Sequence, residues 1–205
     1  MQTLRPTDWV KGTFMSAAHD YGYDRGPNTI ADLDALPDEG KGYELVHGWL
    51  IPLSPSVVHD EAVEDLRALL APAVPGGFVL RGPYDVQMPD GSIYKPDLAV
   101  IDVEAIGEAR REDRRAIIGL DVLLAVEVQR PESGSRNTVH FTKVRDYALA
   151  GVQHYWIVDL ADVPALTAYR LEGREYKQVL HVTGDEAATL DDPLSVSFTP
   201  AQVTG

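Results

Sequence analysis

The chain has 205 residues and contains no cysteine. This absence excludes disulfide bonds, thiolate zinc sites and a cysteine nucleophile, and it makes a cytoplasmic location the default expectation. No run of 18 or more apolar residues is present, so we expect no transmembrane helix and no membrane association. The opening "MQTLRPTDWVKGTF" lacks a basic segment followed by an apolar stretch, which predicts the absence of a secretory signal.

Positive charge is also scarce, because 18 lysines and arginines stand against 32 acids and the net charge is -14. Phosphate groups repel an acidic surface, which argues against broad non-specific binding to nucleic acid but leaves room for a local basic groove. Carboxylates that hold a divalent metal would add to the negative count. The chain has neither a GxxxxGKS phosphate loop nor a GxSxG elbow, which disfavours nucleotide-triphosphate chemistry and that type of serine hydrolase.

The length and the 44% apolar content fit one globular domain. Gly, Pro and Asp, which favour turns, recur in the first forty or so residues. We therefore predict a peripheral segment over residues 1–28 and a single domain over 29–205. Helical periodicity predicts helices over 30–36, 59–72 and 137–152, and the charged stretch 104–117 is either a loop or a helix. The remaining apolar runs predict strands, one of them kinked at Gly82-Pro83, and hairpins around 47–48 and 172–173. The expected fold is α/β (α+β), with a central mixed β-sheet flanked by α-helices.

Three acids lie where an apolar residue would be more usual. Glu44 begins the run "ELV", Asp97 follows Pro96 at the start of "DLAVI", and Glu127 ends the run "VLLAV". A buried carboxylate without a partner costs several kcal/mol, roughly, or becomes protonated. A bound Mg²⁺ or Mn²⁺ would remove this cost, because hard cations favour oxygen ligands. For each acid taken singly, a solvated strand end is the competing interpretation.

Lys143 and Tyr147 are four residues apart on the third predicted helix and therefore share one face, beside its apolar stripe. A lysine at this position would reach a phosphoryl oxygen or a metal-bound water. The alternative is an ordinary solvated lysine.

The ordered set Glu44, Pro96-Asp97, Glu127 and Lys143 resembles the PD-(D/E)XK nuclease superfamily. More narrowly, the chain is similar to the Uma-two family of restriction-endonuclease-like proteins. The segments that carry the likeness span residues 35–160 and read "LPDEGKGYELVHGWL", "SPSVVHDEAVEDLRALL", "PDGSIYKPDLAVID", "AVEVQRPES" and "KVRDYALAGVQHYWIVDL".

The resemblance implies a restriction-endonuclease-like core and a metal-dependent endonuclease that hydrolyses DNA phosphodiester bonds. It implies that Asp97, Glu127 and the backbone carbonyl of Val128 bind Mg²⁺ or Mn²⁺, and that Glu44 completes the acidic cluster. The resemblance also implies that the site lysine lies on the helix that follows the strand. Lys143 matches that position, with Tyr147 as an auxiliary residue.

The sequence departs from the pattern in three places. Gln129 stands where the superfamily has its lysine, Arg130 stands where a serine is common, and Val139 replaces an acid. Gln129 would still orient a water or donate to phosphate, but it carries no charge. These departures keep open a second hypothesis, a non-catalytic nuclease-fold protein with a binding or regulatory role. A third, weaker hypothesis is a metal-assisted phosphoester hydrolase with a small substrate.

Other polar residues have two interpretations each. His59 either faces the site as an auxiliary phosphate or water contact, or is exposed at a helix start, whereas His154 marks a strand entry. The arginines of "EARREDRRAI" alternate with acids, which favours a solvated helix face over a DNA contact. Small nucleases that cut duplexes often act as symmetric dimers, so a homodimer is expected, built on the N-terminal segment or on the region from "HYWIVDL" to "YKQVLHVT".

Overall fold

The computed structural model of the chain describes residues 26–54, 56–130 and 142–203. Within these ranges the α-helices are α1 (Ile30–Asp34), α2 (Val57–Leu70), α3 (Val103–Arg111) and α4 (Val144–Ala150). The strands are β1 (Tyr43–Val46), β2 (Trp49–Pro52), β3 (Phe78–Arg81), β4 (Val86–Gln87), β5 (Ile93–Tyr94), β6 (Leu98–Asp102), β7 (Ile117–Ile118), β8 (Val122–Gln129), β9 (His154–Asp159), β10 (Ala165–Glu172), β11 (Glu175–Thr183), β12 (Ala188–Leu190) and β13 (Val196–Phe198).

The strands form two main sheets and a small one. The six-stranded sheet has the order β11-β10-β9-β8-β6-β3, and the five-stranded sheet has the order β2-β1-β5-β4-β7. Both are mixed, because β8 runs parallel to β9 and β4 runs parallel to β7 while the other pairs are antiparallel. The predicted fold class, a mixed α+β fold with helices flanking central strands, is confirmed. The division into two main sheets was not predicted.

The central strand β8 separates two apolar cores. One face of β8 places Leu124, Val126 and Val128 against α2, which contributes Ala62, Val63, Leu66 and Leu70. The opposite face places Ala125 in a second core, which includes Tyr147 of α4. Side chains alternate between the two faces of the strand from Leu124 to Val128, so Leu124, Val126 and Val128 lie in one core and Ala125 lies in the other.

Local sequence signals explain where the helices begin and end. Oδ2 of Asp32 accepts hydrogen bonds from the backbone nitrogen and the hydroxyl of Thr29, at 2.7 and 2.8 Å, at the start of α1. The hydroxyl of Ser56 accepts from the backbone nitrogen of His59 at the start of α2, as helix-capping serines do. Gly151 follows α4 with a φ of 84°, the left-handed conformation in which glycine ends many helices.

The predicted single strand over residues 76–88, with its kink at Gly82-Pro83, is wrong. Its two halves are β3 and β4, which belong to different sheets. The chain crosses between the sheets at Gly82-Pro83, where proline cannot donate to a ladder. A Cβ on Gly82 would lie 1.9 Å from the carbonyl oxygen of Asp97, so only glycine fits this crossing.

Other boundaries also differ from the predictions. The first predicted helix ends two residues earlier, at Asp34, and the second begins two residues earlier, at Val57. The charged stretch 104–117 is helical only as far as Arg111, in α3. Of the third predicted helix, residues 137–141 lie outside the described residues. The boundary at residue 28 stays a prediction, although Gly26 already donates its backbone nitrogen to the carbonyl of His47. Within the described residues, every helix is too short or too polar to cross a membrane.

Candidate active site

Lys143, directly before α4, joins two acids that are far apart in sequence. Its Nζ lies 2.8 Å from Oε1 of Glu44 on β1 and 2.9 Å from Oε1 of Glu127 on β8. Tyr147, one helical turn later, donates its hydroxyl to Oε1 of Glu127 at 3.1 Å. Strands of both main sheets and α4 therefore meet at one buried polar cluster, which we call the acid-lysine cluster (Glu44, Glu127, Lys143 and Tyr147).

The alternation of β8 places Glu127 in this cluster. It lies two residues after Ala125 and so points to the α4 face, where it is 5% exposed. Glu44 is equally buried in β1, and its Oε1 also accepts a hydrogen bond from the backbone nitrogen of Lys95 at 2.7 Å. Lys143 is 4% exposed, so the alternative interpretation as an ordinary solvated lysine does not hold.

Asp97 lies at the rim of the cluster. It directly precedes β6, whose first residue Leu98 pairs with Val126, and its Oδ2 accepts from the backbone nitrogen of Val128 at 2.7 Å. Nε2 of His59 lies 3.2 Å from Oδ1 of Asp97, so His59 faces the site and is not a freely solvated helix start. The side chains of Asp97 and His59 are 19% and 20% exposed, against 6% for those of Glu44, Glu127 and Lys143, so this rim is more accessible to solvent than the acid-lysine cluster.

The charges of the site perturb one another. Burial raises the pKa of Glu127 above its ordinary value, and the nearby charges of Asp97 and Glu44 add to the effect while Lys143 opposes it. Burial alone would lower the pKa of Lys143, but the charges of Glu127 and Glu44 outweigh it and raise the pKa. The hydrogen bond with Asp97 raises the pKa of His59 to about 9, against the effect of burial. Glu127 therefore lies in an excess of negative charge, which favours uptake of a proton or of a cation.

The site offers carboxylate oxygens, the type of ligand that hard divalent cations prefer. All hydrogen bonds of Glu44 and Glu127 within the described residues use Oε1, so Oε2 of each acid has no hydrogen-bond partner there. In the same ranges, no three His, Asp or Glu side chains form a group that would hold a metal ion by themselves. A cation bound by Asp97 and Glu127 would thus need further oxygen from the backbone, water or a substrate phosphate, as Mg²⁺ commonly does.

Gln129 is placed differently from the other predicted site residues. The amide nitrogen of Gln129 donates to Oδ2 of Asp159 at 3.3 Å, within the β8–β9 pair. Gln129 is 2% exposed, so it is poorly placed to orient a water or meet a phosphate from solvent. Val139 lies outside the described residues.

A second polar network, buried except at Asp90, adjoins the site and was not predicted from the sequence. Its members are Asp90, Ser92, Tyr94, His47 and Asp146, and we call it the histidine network. Asp146 lies three residues after Lys143, on the buried face of α4. An acid three residues after a predicted site lysine is the sequence feature that would have pointed to it. The pattern "VHGW" around His47 indicates only a turn, and no sequence feature shows which element the turn contacts.

The arginine-rich stretch forms the end of α3 and the following turn. Arg111 lies 3.9 Å from Glu108, and Arg114 lies 3.0 Å from Glu112. Arg115 pairs with Asp34 and Asp85, which ties the turn after α3 to the end of α1. Ion pairs with neighbouring acids agree with the solvated-face interpretation. His154 is the first residue of β9, as expected for a strand entry.

Comparisons with known proteins agree with this architecture. The crystal structure described as that of "a putative nuclease belonging to DUF820", from Anabaena variabilis ATCC 29413, matches with a TM-score of 0.64 and 18% sequence identity. The match covers 87% of this chain and 98% of that chain, and at this identity it establishes the fold alone. A search of curated proteins found no match. The Uma2 family, whose description reads "Putative restriction endonuclease", matches residues 30–203. The resemblance noted in the sequence is thereby confirmed, and the chain belongs to the Uma2 family.

Proposed function

We propose that this chain is an endonuclease that depends on Mg²⁺ or Mn²⁺ and hydrolyses phosphodiester bonds of DNA in the cytoplasm. The observation that carries the proposal is the meeting of Glu44, Glu127 and Lys143, from three distant segments, in one hydrogen-bonded cluster beside Asp97. The family description supports nuclease activity in general. DNA as the substrate, the choice of metal and a homodimer that cuts both strands of a duplex are our own expectations.

Asp97, Glu127 and the backbone carbonyl of Val128 would hold the metal, with Glu44 completing the negative site. When bound, a divalent cation supplies Lewis acidity, which activates a water and offsets charge on the phosphate. Asp97 is held for this task by the backbone nitrogen of Val128, which fixes one of its oxygens. The Oε2 atoms of Glu127 and Glu44 accept no hydrogen bond from described residues and would face the cation.

Lys143 would contribute charge rather than proton transfer. The carboxylates raise its pKa, so its ammonium keeps the proton at neutral pH and would stabilise negative charge on the phosphate. Tyr147 donates to Glu127 and would orient that carboxylate. His59, protonated beside Asp97 at the exposed rim, would contact the phosphate as it enters.

One observation favours the second hypothesis, a non-catalytic protein that binds nucleic acid or regulates another protein. The side chain of Gln129, at the position of the superfamily lysine, is turned toward Asp159. If Lys143 does not replace that missing ammonium, the fold retains a cation site without catalysis.

Plasmid and single-stranded DNA cleavage tests the proposal. We expect the wild type to cut with Mg²⁺ or Mn²⁺, and Glu127→Gln to lose about 10²- to 10³-fold in rate, since it removes an electrostatic contribution in the site. Glu172→Gln, an exposed acid on β10, is the matched control and should cut like the wild type. Equal cutting by Glu127→Gln and the wild type would refute the assignment. Calorimetric Mn²⁺ binding without any cleavage would favour the non-catalytic hypothesis, and light scattering tests the homodimer.

A further inference from the structure

Three polar residues point into the molecule from the first turn of α4 and from Lys143 directly before it. Lys143 and Tyr147 contact the acids of the candidate site. Asp146 lies between them in sequence and is equally buried, yet it contacts neither acid. Its Oδ2 accepts from the hydroxyl of Tyr94 at 2.5 Å and lies 2.8 Å from Nε2 of His47.

His47 bridges two carboxylates. Its Nδ1 lies 2.8 Å from Oδ2 of Asp90, while its Nε2 lies 2.8 Å from Asp146. The contact of Nδ1 with Asp90 has hydrogen-bond geometry, and the contact of Nε2 with Asp146 has the distance of an ion pair. Charge pairing with both acids requires the protonated, positively charged ring. Burial on its own would lower the pKa of His47, but the hydrogen bonds and charges of Asp146 and Asp90 raise it to about 9.

The position of His47 is itself fixed. It has a φ of 48° in the two-residue turn between β1 and β2, and its backbone nitrogen donates to the hydroxyl of Ser92 at 2.9 Å. The same hydroxyl donates to Oδ2 of Asp90 at 3.0 Å, and the backbone nitrogen of Ser92 donates to Oδ1 at 2.9 Å. The imidazole therefore extends from a turn that is held on both sides.

The β1 strand and its turn thus hold α4 at two points. Glu44 contacts Lys143, and His47, three residues later, contacts Asp146, three residues after Lys143. Two contacts one helical turn apart restrain the rotation of a helix about its axis more than either contact alone. The α4 helix has only seven residues, and helices of that length depend on tertiary contacts.

Tyr94 links the two networks directly. Its hydroxyl donates to Asp146, and Nζ of Lys143 lies 5.6 Å from the centre of its ring. The ring also meets Tyr147 edge to face, with centroids 5.6 Å apart. A shift of Asp146 would move the aromatic surface against which the lysine rests.

We propose that His47, Asp146 and Tyr94 are positioning residues that set the place of the Lys143 ammonium in the candidate active site. The inference rests on the proposed function for its meaning in catalysis, but the placement of Lys143 is measurable without it. If the network only stabilises the fold, its loss lowers stability and leaves the lysine where it is.

The test compares His47→Gln with His154→Gln. Both remove a buried histidine that has a carboxylate neighbour, but His154, on β9, lies near Asp192 and has no contact with Lys143. Acetic anhydride labels accessible amines, and peptide mass spectrometry gives the rate at Lys143 in the folded protein. We expect labelling of Lys143 in His47→Gln to be about tenfold faster than in the wild type, because the helix opens locally more often. His154→Gln should match the wild type.

Cleavage gives the second readout. We expect His47→Gln to lower kcat by about tenfold with little change in KM, since a displaced catalytic group affects the reaction step more than binding. Tyr94→Phe keeps the ring and removes only the hydroxyl, so it serves if His47→Gln does not fold. Unchanged labelling of Lys143 in a folded His47→Gln or Tyr94→Phe protein would overturn the inference. Faster labelling of Lys143 in a protein that never cuts DNA would support the positioning role and contradict the nuclease assignment.

Discussion

The two faces of β8 have opposite chemistry. One face carries Leu124, Val126 and Val128, all apolar and packed against α2. The other carries Ala125, then Glu127 and Gln129, both buried and both hydrogen-bonded to side chains of other elements. A single strand therefore supplies the packing core on one side and the candidate site on the other.

The difference shows how the protein tolerates buried charge. An isolated buried carboxylate is costly, but Glu127 lies against Lys143 and Tyr147, and α4 extends this polar layer to Asp146 and His47. The apolar face has no such groups and is stabilised by packing alone. Changes on the polar face should therefore alter chemistry first, and changes on the apolar face should alter stability first.

The largest effect should follow Lys143→Met. We expect cleavage to fall by about 10²- to 10³-fold, because charge stabilisation is lost. The free energy of unfolding should also fall by about 3 to 5 kcal/mol at pH 7, because Glu44 and Glu127 then share a buried site without a cation. Urea unfolding with and without Mn²⁺ checks this, and Mn²⁺ should restore part of the stability. Stability equal to the wild type without metal would contradict the account of this face.

Leu124→Ala should produce the reverse pattern. Removing a fully buried side chain from the core against α2 should lower the free energy of unfolding by about 3 kcal/mol. The kcat per folded molecule should not change, because Leu124 points away from Glu127. Urea unfolding and cleavage assays at a temperature well below the unfolding midpoint measure the two quantities. A tenfold loss of kcat would show that the two faces are not independent.

The smallest effect concerns pH. The pKa values of His47 and His59 are both raised from 6.5 to about 9 in the folded protein. The folded state therefore holds more protons, so each histidine contributes stability that is complete below pH 6.5 and is lost as the pH rises through 9. The contribution of each is on the order of 3 kcal/mol at most.

Urea unfolding at pH 6.5 and pH 9 checks this pH dependence. His47→Gln should show a smaller loss between the two values than the wild type. His154→Gln should keep the wild-type loss, because burial lowers the pKa of His154. Equal losses in His47→Gln and the wild type would show that His47 is not held as a cation.

Helices and strands were predicted well from the sequence where the signals, apolar periodicity and capping residues, lie within or next to the element itself. The helices that became α1 and α2, the two hairpins and the buried strand β8 follow from apolar spacing, Thr29 and turn residues. The crossing at Gly82-Pro83 was misread as a kink, because the need for a glycine comes from the carbonyl of Asp97, fifteen residues away in the sequence. A pattern shows which residues are apolar, but it does not show which sheet a strand joins.

The residues of the candidate site were likewise predictable from the sequence only in part. Acids in apolar runs indicated Glu44, Asp97 and Glu127, because a buried charge is unusual enough to be visible in a sequence. His47 and Asp146 were not found, because each looks ordinary until the β1–β2 turn and α4 are placed side by side. Their roles, like those of the acids, are proposals for experiment.

Anomalous diffraction from a crystal soaked in Mn²⁺ tests the central claim most directly. The account predicts one strong peak within coordination distance of the carboxylates of Asp97 and Glu127, at the rim where His59 is partly exposed. Asp97→Asn crystals should show a weaker peak or none. Bound Mn²⁺ elsewhere with none at these carboxylates, in wild-type crystals grown near neutral pH, would contradict the assignment of this site as a metal centre.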